Sequence, residues 1–297
     1  MRSELKGTGV ALVTPFREDL SPDIPALRKL VRHVIEGGVD YLVALGTTAE
    51  SATLAPGEKA AVLRVIAEEN DGRLPLVAGI GGNNTLSVAA EMESANLDGY
   101  DAILSVSPYY SRPTQEGIYQ HFKYLAHRAP LPIVMYNVPA RTGSNMLPET
   151  VARLARDCQG IVGIKEACGD IAQIHTLIDA VPRDFLVISG DDLTAVPTVL
   201  AGGVGVISVL GQALPVEFST MIRQGLAGES GPATDLSESL RPLIGLIFRE
   251  GNPAGVKMLL SQLGICRPEV RLPLMAASGE LSRDLDTFMT AFLREKV

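Results

Sequence analysis

The chain has 297 residues, of which 46% are hydrophobic and 20% are charged, and its formal net charge is −8. This length can build one large core, or one domain with an appendage, and an acidic chain without a basic stripe is not expected to bind nucleic acid. The N-terminus carries no apolar signal core, and no apolar run is long enough to span a bilayer. We therefore expect a cytoplasmic protein with no membrane partner.

Eight short apolar segments are predicted to be β-strands. Each segment is apolar throughout rather than alternating, which is typical of parallel strands that are covered on both faces. In chain order the predicted strands are Val10–Thr14, Tyr41–Leu45, Leu76–Gly79, Ala102–Ser105, Ile133–Tyr136, Val162–Lys165, Leu186–Ser189 and Val204–Ser208.

Helical patterns occupy the gaps between these strands, and most of them carry an apolar stripe. Glycines stand where several of these helices should end, for example at positions 37, 38 and 99. The predicted helices are Ile24–Glu36, Glu58–Glu69, Leu86–Leu97, Gln115–His127, Pro148–Ala155, Ile171–Ala180 and Leu193–Ala201.

Strand followed by helix, repeated eight times, is consistent with a closed barrel or an open doubly wound sheet. The strand count and the chain length favour the barrel, and Thr14-Pro15-Phe16 lacks the glycine-rich loop that a dinucleotide-binding sheet needs after its first strand. The sequence therefore predicts an α/β fold, a (β/α)8 TIM barrel of residues 1–227, followed by a C-terminal helical domain of residues 228–297. The helices of that part are predicted at Pro215–Ala227, Ala233–Arg249, Pro253–Leu263 and Leu281–Arg294.

Lysine is the most informative reactive residue. Lys165 alone ends a buried apolar strand, where loss of hydration lowers the pKa of an amine and favours the neutral form that attacks carbonyl groups. A structural ion pair with a carboxylate would explain this position equally well. Four other lysines fall within helical patterns, where a solvated ammonium group is normal: Lys29, Lys59, Lys123 and Lys257.

Polar loops follow several other predicted strands, and the active site of such a barrel lies at these ends. Gly46-Thr47-Thr48-Ala49-Glu50-Ser51 could bind a carboxylate through backbone N–H groups and hydroxyls, or could be a local turn. Tyr136 could transfer a proton and Arg141 could clamp a carboxylate, although either could also be a structural residue.

Two further loops have open interpretations. Pro108-Tyr109-Tyr110 could form a lid, a proton relay, a subunit contact or simple packing. Gly190-Asp191-Asp192 is expected to be a turn and helix N-cap. We predict no metal site, because the four histidines lie on helical stretches and the three cysteines are scattered.

Six motifs follow one another in these strands and loops: Gly46-Thr47-Thr48-x-Glu50-Ser51, Pro108-Tyr109-Tyr110, Tyr136-Asn137-Val138-Pro139-x-Arg141-Thr142-Gly143, Gly163-Ile164-Lys165-Glu166, Ser189-Gly190-Asp191-Asp192 and Gly205-Val206-Ile207-Ser208. Their order and spacing closely resemble the dihydrodipicolinate synthase branch of the class I aldolase family, which also contains N-acetylneuraminate lyase. The resemblance runs from the first strand into the C-terminal helices.

The resemblance implies a lyase that needs no cofactor. Lys165 would form an imine with pyruvate, and the derived enamine would attack L-aspartate 4-semialdehyde to give 4-hydroxy-tetrahydrodipicolinate, on the route to diaminopimelate and lysine. Thr47, Tyr136 and Tyr110 would relay protons, with Tyr110 reaching into a neighbouring subunit of a homotetramer built as a dimer of dimers. The implied substrate-binding groups are Thr47 and Thr48 for the pyruvate carboxylate, Arg141 for the semialdehyde carboxylate, and the carbonyls of Gly190 and Ile207.

Arg141 favours a carboxylated aldehyde over a neutral sugar. The alternatives are a pyruvate-dependent aldolase or dehydratase of sugar-acid or N-acetylneuraminate type, and a barrel that binds a keto acid without turnover. The family's allosteric lysine pocket would keep Ser51, Ala52, Asn83 and Tyr109, whereas Pro56, Lys59 and Ser87 depart from lysine-sensitive relatives. We expect weak or absent inhibition by L-lysine. Ala49 replaces a glycine usual in the family, which matters only if its φ is positive.

Overall fold

The computed structural model describes residues 5–294. Its centre is a closed barrel of eight parallel strands that pair in chain order, and the first strand pairs with the last. The predicted barrel is thus confirmed. The strands are β1 Gly7–Ala11, β2 Tyr41–Ala44, β3 Leu76–Gly79, β4 Ala102–Val106, β5 Ile133–Asn137, β6 Ile161–Glu166, β7 Leu186–Ser189 and β8 Gly205–Ser208.

Side chains fill the interior of the barrel, because alternate residues of each strand point inward. The ring of Tyr41 lies across β1, and a Cβ atom at Gly9 would collide with that ring. The Tyr41 hydroxyl donates a hydrogen bond to the carbonyl of Val206 at 3.2 Å. The lower barrel is therefore a packed core that seals the site from below.

The first strand lies three residues earlier than its prediction, Val10–Thr14. Leu12 still bonds to the carbonyl of Val43 across the ladder, but the N–H of Val13 donates to the side chain of Gln212 at 2.9 Å. Both residues are nevertheless buried. The apolar run indicated burial correctly, but it did not mark the hydrogen-bonded ladder, which begins at Gly7.

Twelve α-helices lie within residues 5–294. None of them has the length and apolarity that a membrane crossing requires. The four-residue helix after β5 was not predicted. The helices are α1 Ile24–Glu36, α2 Pro56–Asn70, α3 Thr85–Ser94, α4 Gln115–Ala126, α5 Pro139–Thr142, α6 Pro148–Asp157, α7 Ile171–Ala180, α8 Ala195–Leu200, α9 Pro215–Leu226, α10 Ser230–Arg249, α11 Ala254–Gln262 and α12 Gly279–Arg294.

The last three helices pack onto the side of the barrel. Leu243 of α10, Leu259 of α11 and Leu285 of α12 belong to the same buried cluster as Leu30 of α1 and Leu42 of β2. The division into a barrel of residues 1–227 and a helical domain of residues 228–297 stays a prediction, and residues 295–297 lie outside the described part.

Candidate active site

Lys165 and Tyr136 stand side by side at the carboxyl ends of neighbouring strands. The register of β5 and β6 pairs them directly, and Nζ of Lys165 lies 4.5 Å from the centroid of the Tyr136 ring. Only 5% of Lys165 is exposed. The strand order thus places an amine and a phenol together at the mouth of the barrel, where the sequence predicted the site.

Burial changes the acid–base behaviour of Lys165. Loss of hydration lowers the pKa of its ammonium group from 10.5 to about 8. The carboxylates of Asp192 and Asp191 oppose this change, and the positive charge of Arg141 adds to it. A substantial fraction of the amine is therefore neutral near physiological pH, as a nucleophile for carbonyl groups requires.

Tyr136 is a candidate proton donor. Burial raises the pKa of its hydroxyl, while the charge of Arg141 and a hydrogen bond with the Thr47 side chain oppose the increase. Thr47 and Tyr136 line a common cavity of about 70 Å³, together with Ser51, Lys59 and other residues. The hydroxyl group stays protonated at neutral pH and can donate to an oxygen held above Lys165.

The loop after β2 consists of two short 3₁₀ turns, Thr47–Ala49 and Ser51–Thr53, joined at Glu50. Within residues 5–294, no hydrogen bond uses the backbone N–H groups of Thr47 and Thr48, so both can bind an anion. Ala49 is not among the residues with positive φ, whereas Glu50 has a φ of 55°. Replacement of the usual glycine by Ala49 therefore imposes no strain here.

Arg141 lies on α5, next to the mouth of the barrel. It is exposed and forms no ion pair with any residue between 5 and 294. Asn137 holds the loop that carries it: Oδ1 accepts from the N–H of Met146 at 3.0 Å, and Nδ2 donates to Glu166 at 2.9 Å and to Asn145 at 2.8 Å. The guanidinium group is therefore free to bind a carboxylate, while the loop that carries it is held in place.

Gly190 approaches Lys165 closely. A Cβ atom at this position would lie 3.0 Å from Cγ of Lys165 and 2.7 Å from Cβ of Ala167, so no side chain fits. Ile207 is buried in β8, where it pairs with Gly9. The roles expected for the carbonyls of Gly190 and Ile207 stay predictions.

The carboxylate of Asp192 does not cap the helix that follows β7, contrary to the sequence prediction. It is buried and accepts the backbone N–H groups of Val209 and Leu210, at 3.3 and 2.8 Å, so it joins the ends of β7 and β8. Burial raises the pKa of Asp192 to about 6. The neighbouring Asp191 does make a turn, in which it accepts the N–H of Leu193. Among the described residues, no cluster of His, Cys, Asp and Glu could hold a metal ion.

The two tyrosines of the β4–α4 loop point into solvent. Tyr110 is 90% exposed, and within residues 5–294 it makes no hydrogen bond to Thr47, Tyr136 or Lys165. The carbonyl of Tyr109 accepts from Asn83 at 3.3 Å. One chain therefore brings together three of the four predicted catalytic residues, and the role of Tyr110 stays a prediction.

Lys257 was also placed wrongly by the sequence interpretation. Its side chain is fully buried rather than solvated, and it pairs with Glu50 at 2.6 Å. The signal was available, because Lys257 is the only charged residue of Pro253–Leu263, a segment that is apolar on nearly all sides. Asn137, Glu166 and Asp192 were missed as structural supports of the site.

Comparisons with known proteins agree with this geometry. A model of the dihydrodipicolinate synthetase family matches residues 4–292. A 4-hydroxy-tetrahydrodipicolinate synthase of Flavobacterium psychrophilum is 56% identical over 282 residues, which cover 95% of this chain and 96% of the relative. The structure of dihydrodipicolinate synthase from Thermotoga maritima has a TM-score of 0.95 at 39% identity, with 97% of this chain and 98% of that chain covered. The corresponding enzyme of Acinetobacter baumannii, solved with pyruvate, has a TM-score of 0.93 at 38% identity, with 96% and 98% covered. This chain belongs to the dihydrodipicolinate synthetase family.

Proposed function

We propose that this chain condenses pyruvate with L-aspartate 4-semialdehyde to form 4-hydroxy-tetrahydrodipicolinate. Neutral Nζ of Lys165 attacks the keto carbon of pyruvate, and loss of water gives an imine. Loss of a methyl proton then gives an enamine, whose carbon attacks the aldehyde of the second substrate. The amino group of that substrate displaces Lys165 from the imine, which closes the ring and restores the amine.

The observation that carries this proposal is the environment of Lys165. It combines a pKa of about 8, a tyrosine ring at 4.5 Å and a neighbouring loop with free N–H groups. The similarity of the chain to enzymes named as dihydrodipicolinate synthases agrees with it. A barrel that only binds a keto acid has no need of a lysine with a lowered pKa beside a proton donor.

The remaining parts of the proposal concern substrate binding and subunit assembly. Thr47 and Thr48 bind the carboxylate of pyruvate, and Tyr110 of one subunit completes the relay of Thr47 and Tyr136 in another, within a homotetramer. Its exposed position supports such a contact. The three free cysteines are consistent with the reducing cytoplasm.

The proposal is tested by incubating the protein with pyruvate, reducing with borohydride and locating the adduct by peptide mass spectrometry. A parallel sample receives L-aspartate 4-semialdehyde, and product formation is followed. An adduct on Lys165 with turnover supports the proposal. An adduct without turnover would show that the second substrate is a different aldehyde. Absence of an adduct on Lys165 would refute the mechanism.

Substitution of Arg141 by methionine is expected to raise KM for the semialdehyde by about tenfold or more, because a charge-assisted bidentate contact is lost. KM for pyruvate should change much less. Steady-state kinetics with each substrate varied in turn measures both constants. Arg153→Met, on the outer face of α6, serves as the control. A larger change in KM for pyruvate than in KM for the semialdehyde would show that Arg141 binds pyruvate instead.

L-lysine is expected to inhibit weakly or not at all. Lys59 lines the cavity that also contains Ser51 and Glu91, and its Nζ lies 3.1 Å from the Glu91 carboxylate. The ammonium groups of L-lysine are therefore repelled by Lys59, which already pairs with the Glu91 carboxylate. Initial rates at increasing L-lysine concentration test this expectation, and an inhibition constant in the micromolar range would contradict it.

A further inference from the structure

Lys257 of α11 forms a buried ion pair with Glu50, although 207 residues separate them in the chain. Its Nζ atom lies 2.6 Å from Oε1 of Glu50, and the two side chains are 0% and 1% exposed. Nζ also donates to the carbonyl of Glu269 at 2.8 Å and lies 4.1 Å from the centroid of the Phe16 ring. The other carboxylate oxygen of Glu50 accepts the N–H of Arg271 at 2.8 Å.

Glu50 is the joint between the two turns of the β2 loop. Its φ and ψ angles, 55° and 35°, lie in the left-handed region, which costs a residue other than glycine about 1 kcal/mol or more. Such a conformation persists only where its surroundings hold it. The carboxylate interactions with Lys257 and Arg271 supply that restraint.

The same C-terminal segment holds the loop at two further points. Nδ2 of Asn252 donates to Oγ1 of Thr48 at 2.9 Å, and the guanidinium group of Arg271 donates to the carbonyl of Thr53 at 2.9 Å. Residues 252–271 therefore fix the loop at its start, its joint and its end. The free N–H groups of Thr47 and Thr48 belong to the turn that ends at Glu50.

Fold stability alone is a poor explanation for the pair. Two charges lose their hydration on burial, and replacement of a buried pair by apolar side chains is often neutral or stabilising. A buried charge pair between helix α11 and the β2 loop is better explained as a device that fixes the position of the loop. The two charged groups stay in contact only in one arrangement of helix and loop.

We propose that Glu50 and Lys257 are positioning residues for the pyruvate carboxylate. They hold the left-handed joint that aims the N–H groups of Thr47 and Thr48 into the mouth of the barrel, and neither residue touches substrate. This inference rests on the proposed function, since it assumes that the loop binds pyruvate.

The test compares the single variants Glu50→Gln and Lys257→Met, the double variant Glu50→Gln/Lys257→Met and the control Lys123→Met on the outer helix α4. KM for each substrate, kcat and the thermal midpoint are measured, together with the pyruvate concentration that gives half-maximal borohydride trapping on Lys165. Lys257→Met should lower the midpoint, because the buried carboxyl group of Glu50 loses its counter-charge. The double variant should recover that midpoint.

The decisive result is whether KM changes for pyruvate but not for the semialdehyde. In the double variant we expect KM and half-maximal trapping for pyruvate to rise by about tenfold or more, with less than about a threefold change in KM for the semialdehyde. Glu50→Gln, which keeps the shape of the side chain, should show a smaller rise in the same direction. Lys123→Met should match the unmodified protein.

Two results would overturn the positioning role: a folded double variant, or a folded Glu50→Gln variant, with unchanged pyruvate constants, and a parallel rise in both KM values. Absence of any Lys165 adduct in the unmodified protein would instead refute the proposed function, and this inference with it.

Discussion

Replacement of Lys165 by methionine is expected to lower kcat by at least about 10³-fold and, at the same time, to stabilise the fold. Loss of the amine removes the group that we propose forms the imine, and enzymes that lose a covalent nucleophile lose most of their rate enhancement. Methionine is similar in length and has no charge to desolvate. Turnover and borohydride trapping with pyruvate measure the catalytic effect.

The gain in stability follows from the pKa of Lys165. Its value of about 8 in the folded protein, against 10.5 for an unperturbed lysine, means that burial opposes folding by roughly 3 kcal/mol below pH 8. Between pH 8 and 10.5 the unfolded chain binds more protons at this site, so the stability of the unmodified protein rises with pH.

Urea unfolding of both proteins at pH 7 and pH 9.5 tests this expectation. The advantage of Lys165→Met should be largest at pH 7 and should shrink at pH 9.5, since both proteins share every other titrating group. A variant that is less stable than the unmodified protein at pH 7 would show that the buried ammonium group is not a source of strain.

Imine formation should depend strongly on pH. Well below pH 8 the neutral fraction of Lys165 falls tenfold per pH unit, so trapping at low pyruvate concentration should slow by about 50-fold between pH 8 and pH 6. Above about pH 8 the rate should level off. Pyruvate remains ionised over this range and contributes no slope of its own.

Rapid-quench trapping between pH 6 and pH 9.5 gives this profile. The variant Asp192→Asn tests its cause, because the Asp192 carboxylate opposes the lowering of the Lys165 pKa. The profile of that variant should shift toward lower pH. A rate that continues to rise up to pH 9.5 in the unmodified protein would contradict a lowered pKa.

The local sequence predicted most of the barrel because each strand and helix carries its own pattern. Seven strands lie within two residues of their predicted bounds, and β1 differs because Leu12 and Val13 are buried although they lie beyond the end of the strand at Ala11. Helix α5 was missed because four residues are too short to show a helical period.

The site was predictable to the extent that its residues lie at strand ends. Lys165 and Tyr136 lie at the ends of neighbouring strands, and Thr47 follows another strand that ends at the same rim of the barrel. The partner of Glu50 was not predictable in this way, because no local pattern relates a loop residue to a lysine 207 positions later. The role proposed for Tyr110 needs a second subunit, so the fold of one chain does not test it.

The long-range contacts of the β2 loop have a consequence for protein synthesis. The loop that we propose binds pyruvate is translated early, but its three anchors, Asn252, Lys257 and Arg271, follow it by 204 to 221 residues. A nascent chain that has not yet released these residues from the ribosome carries Glu50 without its counter-charge. The loop is therefore fully anchored only after residues 252–271 have been translated, and Lys165 gains an organised loop beside it only once this segment has docked.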